Sequence, residues 1–320
     1  MAFPSGGVGT GYGNTSRVTD VTRFIYQIVP EDKPFTLMIG EDQAKDVIHQ
    51  FQKRTFSVRR HNAQAIGFTF DFPTQNRLPT RNTNICQLIG DMVRVSDTEK
   101  NSSHYAIDDL FSDQMKTALA VIGTDYEHAL IRGSAASGDG TVAAGQMQGL
   151  LCAVMSGLST YTNFGGTALS ETLFNQTVQR LWEFGAEPRD AMVGGAMKRA
   201  ISGYTGANTR FIPAEDGRLI RTISDYETDF WPVSIHLSRD VFTSSVAAPT
   251  SAVTTGSAQN GDSIVFFDIS MLRKAWLQPV LAERVARTAH STDGVITLQA
   301  TLDFGHENGH AWIANASASN

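Results

Sequence analysis

Only two cysteines occur in the 320 residues, Cys86 and Cys152. They stand far apart and in no metal-spaced or redox-spaced motif, which argues against a disulfide framework and leaves two buried thiols in a reducing compartment as the expectation. Long apolar runs are missing too. None approaches the roughly 18 residues of a membrane helix, and the start "MAFPSGGVGTGYGNTSRVT" has neither the charged n-region nor the apolar h-region of a signal peptide. No membrane partner is expected. Positive charge is scarce: 26 Lys and Arg against 32 Asp and Glu give a net charge of −6, with no basic tail. That balance does not suit a chain whose main task is holding nucleic-acid phosphates. Residues 243 to 261 carry no charge and no aromatic ring, and read as an exposed loop whose shortening is tolerated.

Catalytic signatures are equally sparse. Gly7, Gly9, Gly11 and Gly13 alternate but miss the G-x-G-x-x-G spacing, and no strand precedes them, so they are not read as a nucleotide site. The eight histidines fall in no recognisable acid-base pair or Ser-His-Asp arrangement. One motif stands out, His306-Glu307 followed by His310, a literal H-E-x-x-H. On a helix it would set two imidazoles on one face for zinc, with the Glu as general base. Here Gly305 and Gly309 would each cost such a helix about 1 kcal/mol relative to Ala. No His or Glu follows His310 to supply a third ligand. Asn308-Gly309 is instead a strong turn signal between two strands, "GVITLQATLDF" and "HAWIA", so the expectation is a β-hairpin. No catalytic residue, metal or cofactor is expected, and a zinc hydrolase using His306, Glu307 and His310 stands as the alternative.

The chain is long enough for two or three subdomains. It opens with a Gly-rich arm that buries little. From about Ile48 to Ser96 the hydrophobic period becomes two. "TFSVRR", "IGFTFDF" (Ile66, Phe68, Phe70 and Phe72 on one face) and "DMVRVS" read as strands around a polar tip, "PTQNRLPTRNTN". A two-stranded ribbon is marginal in water, so its stabilising surface is expected on another subunit. Lys53, Arg54, Arg59, Arg60, Arg77 and Arg81 face the single acid Asp71 in that stretch.

Next in the chain, Phe111, Met115, Leu119, Ile122, Tyr126 and Leu130 recur at spacings of three and four, predicting an amphipathic helix from about 108 to 133, about 37 Å long. Asp108, Asp109 and Asp113 occupy its first turns, with Asp125 and Glu127 further along. The two lopsided charge patterns suggest one interface: Arg54, Arg59 and Arg60 of one subunit against Asp108, Asp109 and Asp113 of the next. After a Gly-rich and Ala-rich connection, "SETLFNQTVQRLWEFG" predicts a helix with Leu173, Phe174, Val178, Leu181 and Trp182 on one side, ending at Gly185. "DAMVGG" then reads as a strand and "AMKRAISGYT" as a helix, followed by strands at "RTISDYETDF", "VSIHLS" and "SIVFFDI".

This order of parts resembles a tailed-phage major capsid protein of the Hong Kong 97 type. More narrowly, "IYQIVPEDKPFTLMIG", "DQMKTALAVIGTDYEHALIRG", "ISDYETDFWPVSIHLSRDVF", "IVFFDISMLRKAWLQPV" and "TLQATLDFGHENGHAWI" are similar to successive segments of the capsid family typified by phage SU-ten, over most of residues 20 to 315. The chain departs from that pattern at His306-Glu307, where Asn-Glu is usual, at Gly309-His310, where Ala-His is usual, at Gln299 and at Gln278-Pro279. The resemblance implies an α+β fold with an N-terminal arm (1–45), a β-ribbon or E-loop (46–100), a P-domain with its spine helix (101–168), an A-domain (169–263) and returning strands (264–320). It further implies self-assembly into hexamers and pentamers of an icosahedral head shell, a place in the virion after assembly in the host cytoplasm, and non-specific contact with packaged double-stranded DNA. A portal protein and a separate scaffold protein are the implied partners, with room for a decoration protein. Another phage structural protein, of the tail or contacting DNA, is the nearer alternative.

Overall fold

The computed structural model describes residues 33–55, 61, 63, 65–69, 78–102, 104, 107, 109–136, 138, 145–157, 159–204, 224–241, 262–287 and 289–317. Most of the expected arm, the ribbon tip to residue 77, Arg59, Arg60, Asp108 and the uncharged stretch 243 to 261 lie outside the described residues.

One long helix resting on a sheet forms the first half of the core. The helix, α3 (Leu110–Arg132), begins where the Asp109 side chain accepts from the Phe111 N–H, and ends at Gly133. Phe111, Ile122, Tyr126 and Leu130 are buried, as their spacing predicts; Leu119 is exposed, and Ala118 takes the inward position. Beneath lies a four-stranded sheet of order β1-β12-β13-β4, made of β1 (Gly40–Gln43), β4 (Gln87–Ser96), β12 (Arg273–Arg284) and β13 (Ser291–Asp303). The helix sits close on it: a Cβ on Gly294 would meet Phe111 and Met115 at 2.8 Å. Arg94 on β4 clamps Asp293 on β13 through two 2.9 Å hydrogen bonds. Those bonds outweigh the effect of burial and hold the Asp293 carboxyl below its ordinary range. Short elements complete this half: α1 (Pro34–Met38), α2 (Asp97–Asn101), and the pair β5 (Ser134–Ala136) with β6 (Gln146–Gln148). Helix α4 (Leu150–Gly157) buries every residue from Leu150 to Val154, and so shows no amphipathic period to read. Its start crosses the end of α3 so closely that a Cβ on Gly149 would lie 2.4 Å from the Gly133 nitrogen. Cys86 and Cys152 are buried thiols, as expected.

The second half is a six-stranded sheet of order β7-β14-β11-β8-β10-β9, with β7 (Tyr161–Asn163), β8 (Asp190–Val193), β9 (Asp225–Glu227), β10 (Pro232–Leu237), β11 (Asp262–Phe267) and β14 (Ala311–Ala316). Helices α5 (Glu171–Phe184) and α6 (Gly195–Gly203) pack on it around Phe174, Leu181, Met197 and Phe266. The Ser170 side chain caps α5 by accepting from the Leu173 N–H, and the helix ends at Gly185, where the sequence predicts it. Trp182 is not on the buried side: it is exposed and tilts against Phe230, ring centres 5.7 Å apart.

Two expectations about strand pairing also fail. Among the described residues the ribbon strands are β2 (Ile48–Lys53) and β3 (Thr80–Ile85), antiparallel, with Phe51 opposite Asn82. Of "IGFTFDF", Ile66 and Gly67 form a turn and Phe68 and Thr69 are irregular, with Ile66 fully exposed, while residues 70–72, like residues 56–60 of "TFSVRR", lie outside the described residues. Alternation marks a chain able to pair, but no partner strand follows from it. The paired segments are mostly polar, and Phe51, Asn82, Asn84 and Lys53 anchor them to the body. The second failure is the hairpin. Strand β13 pairs with β12 and β4, whereas β14 pairs with β11 and β7, so the two belong to different sheets. Between them Glu307–Gly309 is a single 3-10 turn. Neither Asn308 nor Gly309 has the positive φ that the hairpin turn requires, whereas Gly305 does, at +57°.

Candidate functional site: the root of the ribbon

The H-E-x-x-H residues lie in this turn, where the ribbon meets the body. Glu307 points at the ribbon. Its carboxylate accepts from Lys53 Nζ at 2.6 and 2.8 Å and from Asn82 Nδ2 at 2.7 Å, so one acid holds both β2 and β3. Burial pushes this carboxyl up, but Lys53, the local backbone and Asn82 together outweigh it and hold it below its ordinary value. His306 accepts from the Asn308 N–H through Nδ1 and meets Thr55 Oγ1 at 3.0 Å through Nε2. His310 is buried completely. Its Nδ1 accepts from the Asp268 N–H at 3.3 Å and its Nε2 lies 3.0 Å from the Phe304 carbonyl. Burial drives this imidazole down to about 4, so it is neutral at pH 7. Each of the three side chains is thus committed to its own pair of partners, on a turn rather than a helix, and the three do not form the zinc arrangement.

Two further contacts fix the root. Phe51 packs edge-on against Phe304, ring centres 4.8 Å apart. Asn84, buried on β3, donates to the carbonyls of Gln148 and Leu302 at 3.0 and 2.7 Å and accepts from the Gln148 N–H at 2.8 Å. This single amide ties the ribbon to β6 and β13.

Glu127 is a second anchor. Although the sequence places it among the acidic residues of the long helix, it is fully buried. Its oxygens accept from the Phe35 N–H at 2.8 Å, the Thr36 N–H at 2.7 Å and the Thr36 hydroxyl, which caps α1. Burial raises its carboxyl in spite of these three donors. Helix phase was a usable signal, since Glu127 stands three residues before Leu130 and beside the apolar stripe. For Glu307 and Asn84 nothing local gave the role away, because their partners are distant in sequence.

Of the predicted interface residues, Arg54 is exposed just beyond β2, Asp109 caps α3 and Asp113 is exposed one turn on. The protein's own fold does not bring Arg54 into an ion pair with either acid. Arg59, Arg60 and Asp108 lie outside the described residues. Lys53, counted with the basic ribbon, is already spent on Glu307.

The SU10 major capsid protein family matches this sequence over residues 6–317. The chain belongs to that family. No curated protein matches it. Among solved structures, the capsid of a native GTA particle is 14% identical over 96% of this chain and 98% of that one, with a TM-score of 0.60. The holo-SrpI encapsulin complex of Synechococcus elongatus PCC 7942 is 11% identical over 94% of each chain, with a TM-score of 0.58. The capsid of Cyanophage P-SCSP1u is 12% identical over 94% and 93%, with a TM-score of 0.57. The α+β capsid fold of the Hong Kong 97 type expected from the order of parts is therefore present. The protein is a major capsid protein of a phage head, and among its described residues no helix is long and apolar enough to cross a membrane. In this capsid protein the C-terminal turn is a clamp on the ribbon's foot.

Proposed function

We propose that this capsid protein closes the head shell through hexamers and pentamers, with each ribbon lying across the long helix of a neighbour, and that it carries out no catalysis. The observation behind this reading is the contrast along the ribbon. Its foot is locked into the body by Glu307, Phe304 and Asn84, while beyond it Ile66 and Phe68 are exposed. Apolar groups on a segment held so firmly at one end call for a covering surface, and in a closed ring or shell the next copy supplies it. The domain division at residues 45, 100, 168 and 263 belongs to this proposal. So do a portal protein, a separate scaffold protein, room for a decoration protein, and weak, non-specific contact with double-stranded DNA, which a net charge of −6 would not hold tightly.

The charge test of this interface is a double reversal. Single exposed ion pairs contribute only about 0 to 1 kcal/mol, but Arg59→Glu with Arg60→Glu sets like charges against each other at every copy of the contact. Folded, unassembled protein is expected, with particles partly restored by adding Asp113→Lys, which leaves the Asp109 cap of α3 in place. Normal assembly of the double reversal at low salt, where repulsion is least screened, would turn the basic residues toward solvent or DNA instead.

A further inference from the structure

At the ribbon's foot, Asp42, His49 and Asp303 bring two carboxylates and one imidazole together, and we propose that they bind a divalent transition-metal ion of the zinc or cobalt kind. One ligand atom from each lies within 4.8 Å of the other two. The three come from separate strands: Asp42 from β1, His49 from β2 and Asp303 from the last position of β13. These residues are distinct from the H-E-x-x-H turn.

His49 is the most telling of the three. Its side chain is only 13% exposed, and its Nε2 is closed to solvent without any hydrogen bond. This nitrogen faces Asp303 Oδ2 across 4.0 Å, too far for a hydrogen bond. With metal bonds of about 2.1 Å and tetrahedral angles, donor atoms sit about 3.4 Å apart, so the three atoms, within 4.8 Å of one another, would draw together on binding one ion. Both carboxylates are already oriented by the backbone. Asp303 accepts from the Gly305 N–H at 2.9 Å and Asp42 from the Gln43 N–H at 2.7 Å, the kind of support that fixes a metal ligand. One nitrogen and two oxygens favour zinc or cobalt over calcium or magnesium, which prefer oxygen throughout. Asp42 is exposed, which leaves the remaining positions open to water. The bound ion would join β1, the ribbon strand β2 and the end of β13, whether or not the ribbon also crosses a neighbour.

The test is calorimetric titration of the full chain with zinc chloride at pH 7.5, alongside cobalt absorbance. The expected result is one zinc per chain and tetrahedral cobalt bands. Asp42→Asn, at an exposed position that cannot disturb the core, and His49→Gln should each weaken zinc at least about tenfold. His236→Gln, whose ring pairs with Asp190 at 2.8 Å elsewhere, should change nothing. No zinc binding by the unaltered chain at millimolar metal, or binding undiminished in Asp42→Asn, would overturn the proposal. The Asp42 variant decides even if the His49 variant fails to fold.

Discussion

At Glu307 two opposing influences meet, burial raising the carboxyl and Lys53 with Asn82 lowering it, and the second set prevails. A carboxyl held below its ordinary 4.5 stabilises the fold fully above that pH, and the contribution is lost as pH falls through the lower folded value. Both partners are mostly shielded, with side chains 24% and 12% exposed, so the charge-assisted bonds retain a good part of their strength. Glu307→Gln should therefore cost about 1 to 2 kcal/mol at pH 7. Urea unfolding of the two proteins would show the gap, and it should close as the pH is taken below 4.5. A gap that persists unchanged to acid pH would mean the ion pair is not its source. In the sequence the residue stands out for its place in H-E-x-x-H. Its role was illegible there because Lys53 and Asn82 reach it across more than two hundred residues, a distance no local pattern spans.

Among the elements, α1 depends on a side chain from another helix. Removing the Glu127 acceptors leaves the buried Phe35 N–H and the Thr36 N–H unpaired, so Glu127→Ala should cost about 2 to 3 kcal/mol, with faster hydrogen exchange over residues 35 to 39. Glu127→Gln keeps one acceptor oxygen and should cost clearly less. Equal losses in the two variants would show that packing, not capping, is the reason. Helices α3 and α5 were legible because each has one buried face, which the 3.6-residue period reports. Helix α4 was not, being buried from Leu150 to Val154 without interruption. Strands β13 and β14 are legible as strands, but the link between them crosses from one sheet to the other instead of closing a hairpin. Alternation says that a segment is extended and nothing about which sheet receives it.

For the molecule as a whole, the succession of parts carried more information than any single motif. A ribbon rooted at Phe51 and Asn84, a long helix on a sheet and a second sheet with its own core follow one another in the order that the family resemblance implied. Which charges meet between copies is a property of the assembly, beyond the reach of one chain's periodicity, and the reversal of Arg59 and Arg60 addresses it. The most direct measurement is electron microscopy, with light scattering, of the full chain purified after expression by itself. Rings of five or six subunits, or closed megadalton shells built from them, are predicted. A uniform monomer or dimer at every concentration, with no ring or shell in the images, would contradict the account.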